Sequence, residues 1–316
     1  MSGGEFKVCV VYHYFEKNEE YRRNLSHFLK FGIIEGVTYH IVISGTCTLS
    51  LPEISNVSYW YEGNHNYDYG GHSLVVERIQ YSFVFDFYVF LNCSVRGPFL
   101  PPWRTREEDW LSPFLMHFED DSVGIVGTSI NILPKSSPHA SFYKSRHGGS
   151  GPFAHVQSMA FVLKKETFFY LVGQGFFGSA IALSRKEIIS DYEIRLSQLI
   201  LDGNWKIKCL LPEYNVIDYR TDVCEVNPTA VNGDVNYPAA YFGRSVHPYE
   251  VIFIKTARAI WPISYLDALA YSMAVSNGAV DDLCYQLDVA HISNGNAFFN
   301  KLRSKVKSFL NFSKAD

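Results

Sequence analysis

Short apolar runs that alternate with amphipathic segments constrain the fold of this chain more than any other feature of its sequence. Lys7 to Tyr14 (KVCVVYHY) and Tyr39 to Ser44 (YHIVIS) have the β-branched, continuously apolar composition of buried strands. Between them, residues 18–32 have helical spacing, and Gly32 provides a stop. This alternation predicts an α/β fold, a doubly wound and mainly parallel sheet with helices on both faces. Its ligand is expected at the carboxyl ends of the strands.

The same patterns continue along the chain and suggest its organisation. They predict strands at 57–61, 87–91, 123–129, 155–164 and 204–211, and helices at 73–83 and 190–202. Residues 221–247 are rich in loop-forming residues, and a helical region is expected from about Pro248. We therefore expect one main domain over residues 1–260, with halves 1–135 and 136–260. Residues 261–316 form a C-terminal helical region in this prediction.

Charge and cysteine usage narrow the class of protein. The formal net charge of -4 over 316 residues gives no reason to expect nucleic-acid binding. The six cysteines are scattered, without CxxC or zinc spacing, and are interpreted as reduced thiols of a cytoplasmic protein. The first residues do not resemble a signal peptide, and no apolar stretch reaches the ~18 residues of a spanning helix.

The segment 298–312 (FFNKLRSKVKSFLNF) has a distinctive pattern of charge. Four Lys or Arg residues and no acidic residue alternate with apolar side chains, so a helix here would have one basic and one apolar face. Such a helix either contacts the inner face of a membrane peripherally or docks on the protein with its lysines in solvent. Both interpretations stay open from the sequence.

Two stretches of the first half carry candidate site residues. The loop 62–71 contains Asp68, and its Gly70 would allow close approach of backbone to a ligand. No GxGxxG follows the first strand, which argues against a nicotinamide or S-adenosylmethionine site. The strand at 87–91 ends in Asn92-Cys93-Ser94, where polar side chains can meet a ligand, and Arg96 can neutralise phosphate. Trp103, beyond a proline-rich turn, can form a wall of the site.

Four segments in order resemble one family of enzymes. They are FLNCSVRGPFLP (90–101), HVQSMAFVL (155–163), YEIRLSQLILDGNWKIKCLLPEY (192–214) and HPYEVIFIKTAR (247–258). Together with the NYDYGG loop they resemble GT-A-fold (Rossmann-like) glycosyltransferases of capsule, O-antigen and rhamnan-type polysaccharide synthesis, which have relatives in large algal viruses. The resemblance covers about residues 6–260.

The resemblance implies a nucleotide-sugar donor, UDP-linked, and a glycan or lipid-linked glycan acceptor in surface polysaccharide or glycoprotein synthesis. Asp68 and Gly70 then belong to the nucleoside side of the donor site. Asn92 and Ser94 stand where many such enzymes have Asp-x-Asp, which holds Mn²⁺ or Mg²⁺ against the diphosphate. Both acids are missing here, so the metal stays open. The cations that could neutralise the diphosphate instead are Arg96, His247, Lys255 and Arg258.

The resemblance also suggests a catalytic carboxylate and acceptor-binding residues. Glu193 is the expected base of an inverting transfer, with Asp191 second, because both lie where the family places that carboxylate. The alternative is that Glu193 only stabilises a helix N-terminus. His155, Gln157 and Trp103 are the candidates for the acceptor, and His155 could equally be a structural histidine.

Two other functions remain in competition with catalysis of sugar transfer. A catalytically degenerate transferase could serve as a carbohydrate- or nucleotide-binding scaffold in a polysaccharide-assembly complex, which the missing acids favour. A different Rossmann-like enzyme, such as a methyltransferase, is disfavoured because the first turn has no glycine-rich motif.

Overall fold

The computed structural model describes residues 6–63, 65–81, 84–104, 108–178, 182–230 and 233–276. The strands in these ranges are β1 (Val8–Phe15), β2 (Thr38–Ser44), β3 (Val57–Glu62), β4 (Phe87–Asn92), β5 (Val95–Arg96), β6 (Val123–Gly127), β7 (Ile130–Leu133), β8 (Phe153–Val156), β9 (Ala160–Lys164), β10 (Lys206–Cys209) and β11 (Ile254–Lys255).

The helices of the described ranges alternate with these strands. They are α1 (Glu19–Phe31), α2 (Tyr67–Ile79), α3 (Ser112–Leu115), α4 (Pro138–His147), α5 (Lys165–Gly173), α6 (Arg185–Ile188), α7 (Arg195–Asp202), α8 (Pro212–Asn215), α9 (Pro248–Val251) and α10 (Ile263–Ser276). A 3₁₀ turn, Met116–Glu119, follows α3, and a π-helical segment, Ile189–Ile194, joins α6 to α7. None of these helices is long and apolar enough to cross a lipid bilayer.

A seven-stranded sheet with the order β10-β6-β9-β4-β1-β2-β3 forms the centre of the molecule. Its neighbouring strands are parallel except around β9, which runs antiparallel to both β4 and β6. Two further pairs, β11 with β5 and β7 with β8, are antiparallel. The prediction of a mainly parallel α/β sheet is thus confirmed. Its parallel strands end together at one edge, which we call the carboxyl edge.

Helices cover both faces of the sheet, as the alternation of side chains along β1 shows. The Tyr12 ring stacks on Phe28 of α1, with ring centroids 4.6 Å apart. The next residue, His13, faces α2, where a Cβ on Gly71 would lie 2.4 Å from its ring. Successive strand residues point to opposite faces, so α1 and α2 pack on opposite sides. On the side of α2, Tyr88 of β4 stacks on Phe168 of α5 at 3.6 Å.

Local sequence explains why these elements form where they do. Asn18 precedes α1, and its side chain accepts a hydrogen bond of 3.1 Å from the backbone N–H of Tyr21. Gly32 ends the same helix, as predicted. Val10, Val11 and Phe90 are fully buried, and burial of such a side chain contributes about 1.5–3 kcal/mol. The apolar runs interpreted as strands are therefore the core of the protein.

Three boundaries differ from the sequence prediction. Helix α2 begins at Tyr67 and not near Ser73, because Gly70 and its neighbour are packed inside the helix. The strand predicted at 155–164 is two strands, since β8 pairs with β7 whereas β9 inserts between β4 and β6. The helical region expected from Pro248 begins with the single turn α9, and β11 follows it.

The chain divides into two compact units, Met1–Ile263 and Ser264–Asp316. The sheet lies in the first unit, and α10 represents the second in the part of the chain that the structure describes. The basic amphipathic segment 298–312 lies outside the described residues. Its contact with a membrane therefore stays a prediction from the sequence.

Candidate functional site

The carboxyl edge of the sheet holds a fixed polar pair at the end of β4. The Asn92 side-chain amide donates a hydrogen bond of 2.7 Å to the Asp68 carboxylate. Its carbonyl oxygen accepts from the Ser94 backbone N–H at 3.0 Å and from the Ser94 hydroxyl at 2.6 Å. These bonds set the orientation of Asn92. They also place the Asp68 carboxylate at the end of the central strand β4, where the sequence predicted a ligand site.

Asp68 reaches this position because α2 begins just before it. Asn66 and Tyr67 have φ angles of 57° and 56°, so the chain turns sharply into the helix. Asp68 then lies in the first helical turn, where the helix dipole favours a carboxylate. A Cβ on Gly70 would lie 1.7 Å from the backbone oxygen of His65. Gly70 therefore has a steric role in this turn, and direct contact with a donor stays a prediction.

Replacement of Gly70 by alanine should destabilise the protein by about 1–3 kcal/mol, since the chain before α2 must move to admit the new methyl group. Gly173 provides the matched control, because it also lies in a helix but a Cβ added there would have no other atom within 4 Å. Gly173→Ala should change stability by no more than about 1 kcal/mol, in the stabilising direction. Chemical denaturation measures both, and equal midpoints for the two variants would contradict the steric role.

Glu193 reaches the carboxyl edge from the π-helical segment between α6 and α7. Tyr69 and Tyr192 are buried, and their rings lie 4.7 Å apart, so they pack α2 against this segment. Because Asp68 precedes Tyr69 and Glu193 follows Tyr192, the aromatic contact brings the two carboxyl groups into one region. π-Helical insertions recur at functional sites, where they change the direction of a side chain within a helix.

The charges around Glu193 define an electrostatic cluster. Burial raises the pKa of Glu193 above its ordinary value, and Asp68 adds to this rise. Lys255, Arg185 and Arg258 oppose it. The side chain retains partial exposure, so a ligand can reach it. A carboxyl whose pKa is raised toward neutrality accepts a proton more readily than an ordinary surface glutamate.

Lys255 is carried to this cluster by the pairing of β11 with β5. Lys255 is opposite Val95, and the next residue, Thr256, donates from its backbone N–H to the Ser94 carbonyl at 3.1 Å. The strand pair thereby ties Lys255 to the end of β4. Burial lowers the pKa of Lys255, Arg258 lowers it further, and Glu193 counteracts both. The ammonium group is thus held among charged groups at a site poor in water.

Arg258 is held in place by the loop that precedes α9. Its guanidinium pairs with Asp234, whose side chain is 7% exposed. It also lies over the ring of Tyr237 at 4.3 Å. The Asn236 amide donates to the Ser129 hydroxyl at 2.9 Å, which anchors this loop to the chain beyond β6. The sequence predicted Arg258 and not its partners, because loop positions such as Asp234 have no periodic pattern.

His155 and Gln157 lie beside this loop network. Both side chains are buried, and the Gln157 backbone N–H donates to the Ser129 carbonyl at 3.0 Å. His155 Nδ1 lies 3.0 Å from the Phe153 carbonyl oxygen. Burial lowers the pKa of His155, while the Phe153 carbonyl and the charge of Asp234 act in the opposite direction. The structure thus joins the predicted acceptor residues to the Arg258 network, and their contact with an acceptor stays a prediction.

Asp191 lies in a different environment from Glu193, although only one residue separates them. Its carboxylate accepts two hydrogen bonds from Arg146, at 2.9 and 2.5 Å, and lies 2.8 Å from His147 Nε2. Burial opposes ionisation of Asp191, but the hydrogen bonds from Arg146 and His147 lower its pKa below the ordinary value. A carboxylate stabilised in this way is a weak base. Of the two predicted catalytic residues, the geometry favours Glu193.

Arg96 lies on β5, which pairs with the strand that carries Lys255. It is 2% exposed, and its Nε donates to the Asn24 side-chain oxygen at 3.0 Å. The Asn24 amide donates in turn to the Cys93 carbonyl and to the Thr256 hydroxyl, both at 2.9 Å. This arrangement ties α1 to β5 and to the chain after β11. Contact of Arg96 with a phosphate of the donor stays a prediction.

His247 and Trp103 belong to an aromatic group near α9. His247 Nδ1 accepts from the Tyr249 backbone N–H at 3.1 Å and so caps α9. Trp103 is 77% exposed and meets the Tyr249 ring at 5.8 Å. The structure shows a helix-capping role for His247 and an accessible indole for Trp103. Contact of His247 with a donor, and of Trp103 with an acceptor, stays a prediction.

Arg185 is a functional candidate that the sequence prediction missed. It opens α6, is exposed, and lowers the pKa of Glu193 from across the site. The Ser184 and Glu187 capping box is a local signal for the start of this helix. That signal identifies a helix end, but it does not show which groups the end faces.

In the ranges described, no three His, Cys, Asp or Glu residues are arranged to hold a metal ion.

No protein-family model and no curated protein matches the sequence. Among solved structures, the mannosyltransferase PcManGT from Pyrobaculum calidifontis, in complex with GDP-Man and Mn²⁺, is 12% identical with a TM-score of 0.40, over 97% of this chain and 81% of that one. The galactosyltransferase LgtC, in complex with donor and acceptor sugar analogs, is 10% identical with a TM-score of 0.41. That match covers 84% of this chain and 95% of LgtC. The apo bifunctional glycosyltransferase WbbM is 11% identical with a TM-score of 0.37. That match covers 66% of this chain and 39% of WbbM. Because these sequence identities and TM-scores are low, the proposed function rests on the site of this chain.

Proposed function

We propose that the protein is a GT-A-type glycosyltransferase that moves a sugar from a nucleotide-diphospho sugar, UDP-linked, to a glycan acceptor. The observation that carries this proposal is the partly buried Glu193 carboxyl, which shares the carboxyl edge of the sheet with Asp68 and Lys255. A base, a second carboxylate and cations in one region are what transfer from a diphosphate donor requires. The four segments that resemble such enzymes include Asn92, Glu193 and Lys255.

The transfer is written as a single displacement with inversion. The acceptor hydroxyl oxygen forms a bond to the anomeric carbon, and the bond from that carbon to the phosphate oxygen breaks. The proton of the hydroxyl passes to the Glu193 carboxylate. The electron pair of the broken bond stays on the departing nucleoside diphosphate, whose negative charge the neighbouring cations stabilise. Because its pKa is raised, the Glu193 carboxylate is a stronger base than an ordinary surface glutamate.

Each side of the site has a distinct task in this proposal. Asp68, held by Asn92, receives hydroxyl groups of the donor nucleoside or sugar at the end of β4. The diphosphate lies toward Lys255 and Arg258. The acceptor, for which His155 and Gln157 are the candidate ligands, reaches the anomeric carbon from the face opposite the diphosphate. Trp103, with its exposed indole, offers a flat apolar face to an acceptor glycan.

The biological setting is part of the proposal and follows from the resemblance. We propose that the protein acts in the cytoplasm on a surface polysaccharide or a glycoprotein glycan, with a glycan or lipid-linked glycan as acceptor. Peripheral contact with a membrane would come from residues 298–312, whose sequence combines four Lys or Arg residues with seven apolar side chains.

Donor hydrolysis tests this function directly. We expect the purified protein to release nucleoside diphosphate slowly from one member of a panel of UDP-, GDP- and dTDP-linked sugars, because water can replace the acceptor. NMR detects the release and identifies the sugar. Retention of the donor by the protein, followed by release on addition of the correct glycan, would be equally supportive. Absence of both binding and release across the panel would refute the proposal.

A non-catalytic carbohydrate- or nucleotide-binding scaffold is the competing function. The observation that favours it is Asn92, a neutral residue where the resemblance leads one to expect a metal-binding carboxylate. A scaffold would bind a donor or nucleotide with unchanged affinity after replacement of Glu193, and would never release product. The same hydrolysis assay therefore separates the two functions.

A further inference from the structure

We infer that the donor diphosphate is held in this site by the Lys255 ammonium and the Arg258 guanidinium, with no divalent cation. This inference rests on the proposed transferase function and specifies how its donor site works. It begins from the groups present at the end of β4, where a metal-dependent enzyme of this fold would hold its ion.

The side chains at this position do not fit a Mn²⁺ or Mg²⁺ site. Hard divalent cations are bound through several oxygen ligands, carboxylates above all. Here the Asn92 oxygen already accepts two hydrogen bonds from Ser94, and one Asp68 oxygen accepts from the Asn92 amide. Within the ranges that the structure describes, no group of three or more His, Cys, Asp or Glu side chains is arranged to hold a metal ion.

Positive side chains occupy the region instead. Lys255 and Arg258 both act on the pKa of Glu193, and Arg258 also acts on that of Lys255, so the two cations are neighbours. Both would repel a divalent cation placed among them, whereas Asp68 and Glu193 would attract it. A diphosphate has the opposite charge, and the planar guanidinium can donate two parallel hydrogen bonds to phosphate oxygens.

The surroundings of the two cations favour their role as fixed counter-charges. Asp234 and the Tyr237 ring hold the Arg258 guanidinium in one orientation. The pairing of β11 with β5 fixes the backbone of Lys255. Groups oriented before a ligand arrives lose little freedom when it binds. Burial lowers the pKa of Lys255, and a bound diphosphate would act in the opposite direction.

Isothermal titration calorimetry with UDP and with inorganic pyrophosphate tests the inference on the full-length protein. The wild-type dissociation constant should agree within about threefold between buffer with excess EDTA and buffer with manganese chloride. A threefold change corresponds to a smaller free energy than one charge-assisted hydrogen bond contributes. Lys255→Met and Arg258→Met should each weaken binding by about 10- to 100-fold, the loss expected for a charged hydrogen bond to phosphate.

Lys164→Met is the matched control. It removes one positive charge at the opposite edge of the sheet, where Lys164 pairs with the first residue of β4, and it should leave the affinity unchanged. Thermal unfolding shows whether each variant is folded. The comparison of EDTA with manganese in the wild-type protein does not depend on any variant.

Each outcome leads to a separate conclusion. Binding in EDTA that both methionine substitutions weaken supports the inference. Binding that requires manganese, or that neither substitution weakens, overturns the inference and leaves the transferase function intact. If neither probe binds under either condition while the variants and wild type are folded, the inference fails, and the donor-hydrolysis assay then decides whether the proposed function fails with it.

Discussion

Replacement of Glu193 by glutamine is expected to lower the rate of sugar transfer by about 10²–10⁴-fold, the usual contribution of a positioned general base. The amide keeps the shape of the side chain but cannot take the proton of the acceptor hydroxyl. Donor affinity should change little, because Lys255, Arg258 and Asp68 remain. Single-turnover transfer with the donor found in the hydrolysis panel measures the rate. Glu166→Gln, an exposed residue in the first turn of α5, serves as the control and should retain full activity.

The same substitution should not destabilise the protein. The folded-state pKa of Glu193 is raised, so its ionisation is less favourable in the folded than in the unfolded chain. Above the ordinary glutamate pKa of about 4.3, the charge therefore reduces wild-type stability, and glutamine removes this cost. We expect an equal or higher unfolding temperature at neutral pH, with the difference from wild type vanishing in acid. A variant that lost activity only because it unfolded at lower temperature would contradict the catalytic role.

Replacement of Asp191 by asparagine should give the opposite pattern, with a loss of stability of about 1–3 kcal/mol and a much smaller effect on the transfer rate. The carboxylate is 12% exposed and accepts from Arg146 and His147, so the variant leaves two donors without their charged partner. The upper end of the usual range for buried pairs does not apply, because Arg146 is 36% exposed and screened by water. Urea denaturation at neutral pH measures the loss.

The pH dependence of this loss identifies its cause. The folded-state pKa of Asp191 is lowered, so the stabilisation is fully present above the ordinary aspartate pKa of about 3.9. It disappears as the pH falls below that value toward the lowered folded-state pKa. Wild type and Asp191→Asn should therefore converge in stability in acid. A transfer rate that collapses in Asp191→Asn and survives in Glu193→Gln would reverse the two assignments.

The sheet and its carboxyl edge were predictable from the sequence because their signals are local. Continuous apolar runs such as residues 7–14 can be satisfied only by burial on both faces, and this predicts a parallel sheet. A buried strand that ends in Asn92 and Ser94 must place polar groups at its carboxyl end. Gly32 ended α1 as expected, since the helix stop depends on the residue itself.

The grouping of charges was not predictable, because it depends on contacts between distant segments. The sequence placed Glu193 ahead of Asp191 as the catalytic residue. The different surroundings of the two, Tyr192 packed on Tyr69 and Asp191 paired with Arg146, come only from tertiary packing. The hydrogen bond of Arg96 to Asn24 of α1 likewise joins residues far apart in the sequence.

The order of residues along the chain was sufficient to specify which segments build the sheet, where its strands end and which polar types stand at those ends. Burial of apolar surface and strand geometry act over a few neighbouring residues, so they leave a pattern in the chain. Three-dimensional packing was needed to bring Lys255 to Glu193 and to place Asp234 against Arg258. Electrostatic interactions act through space between residues far apart in sequence, and they exist only once β11 has paired with β5.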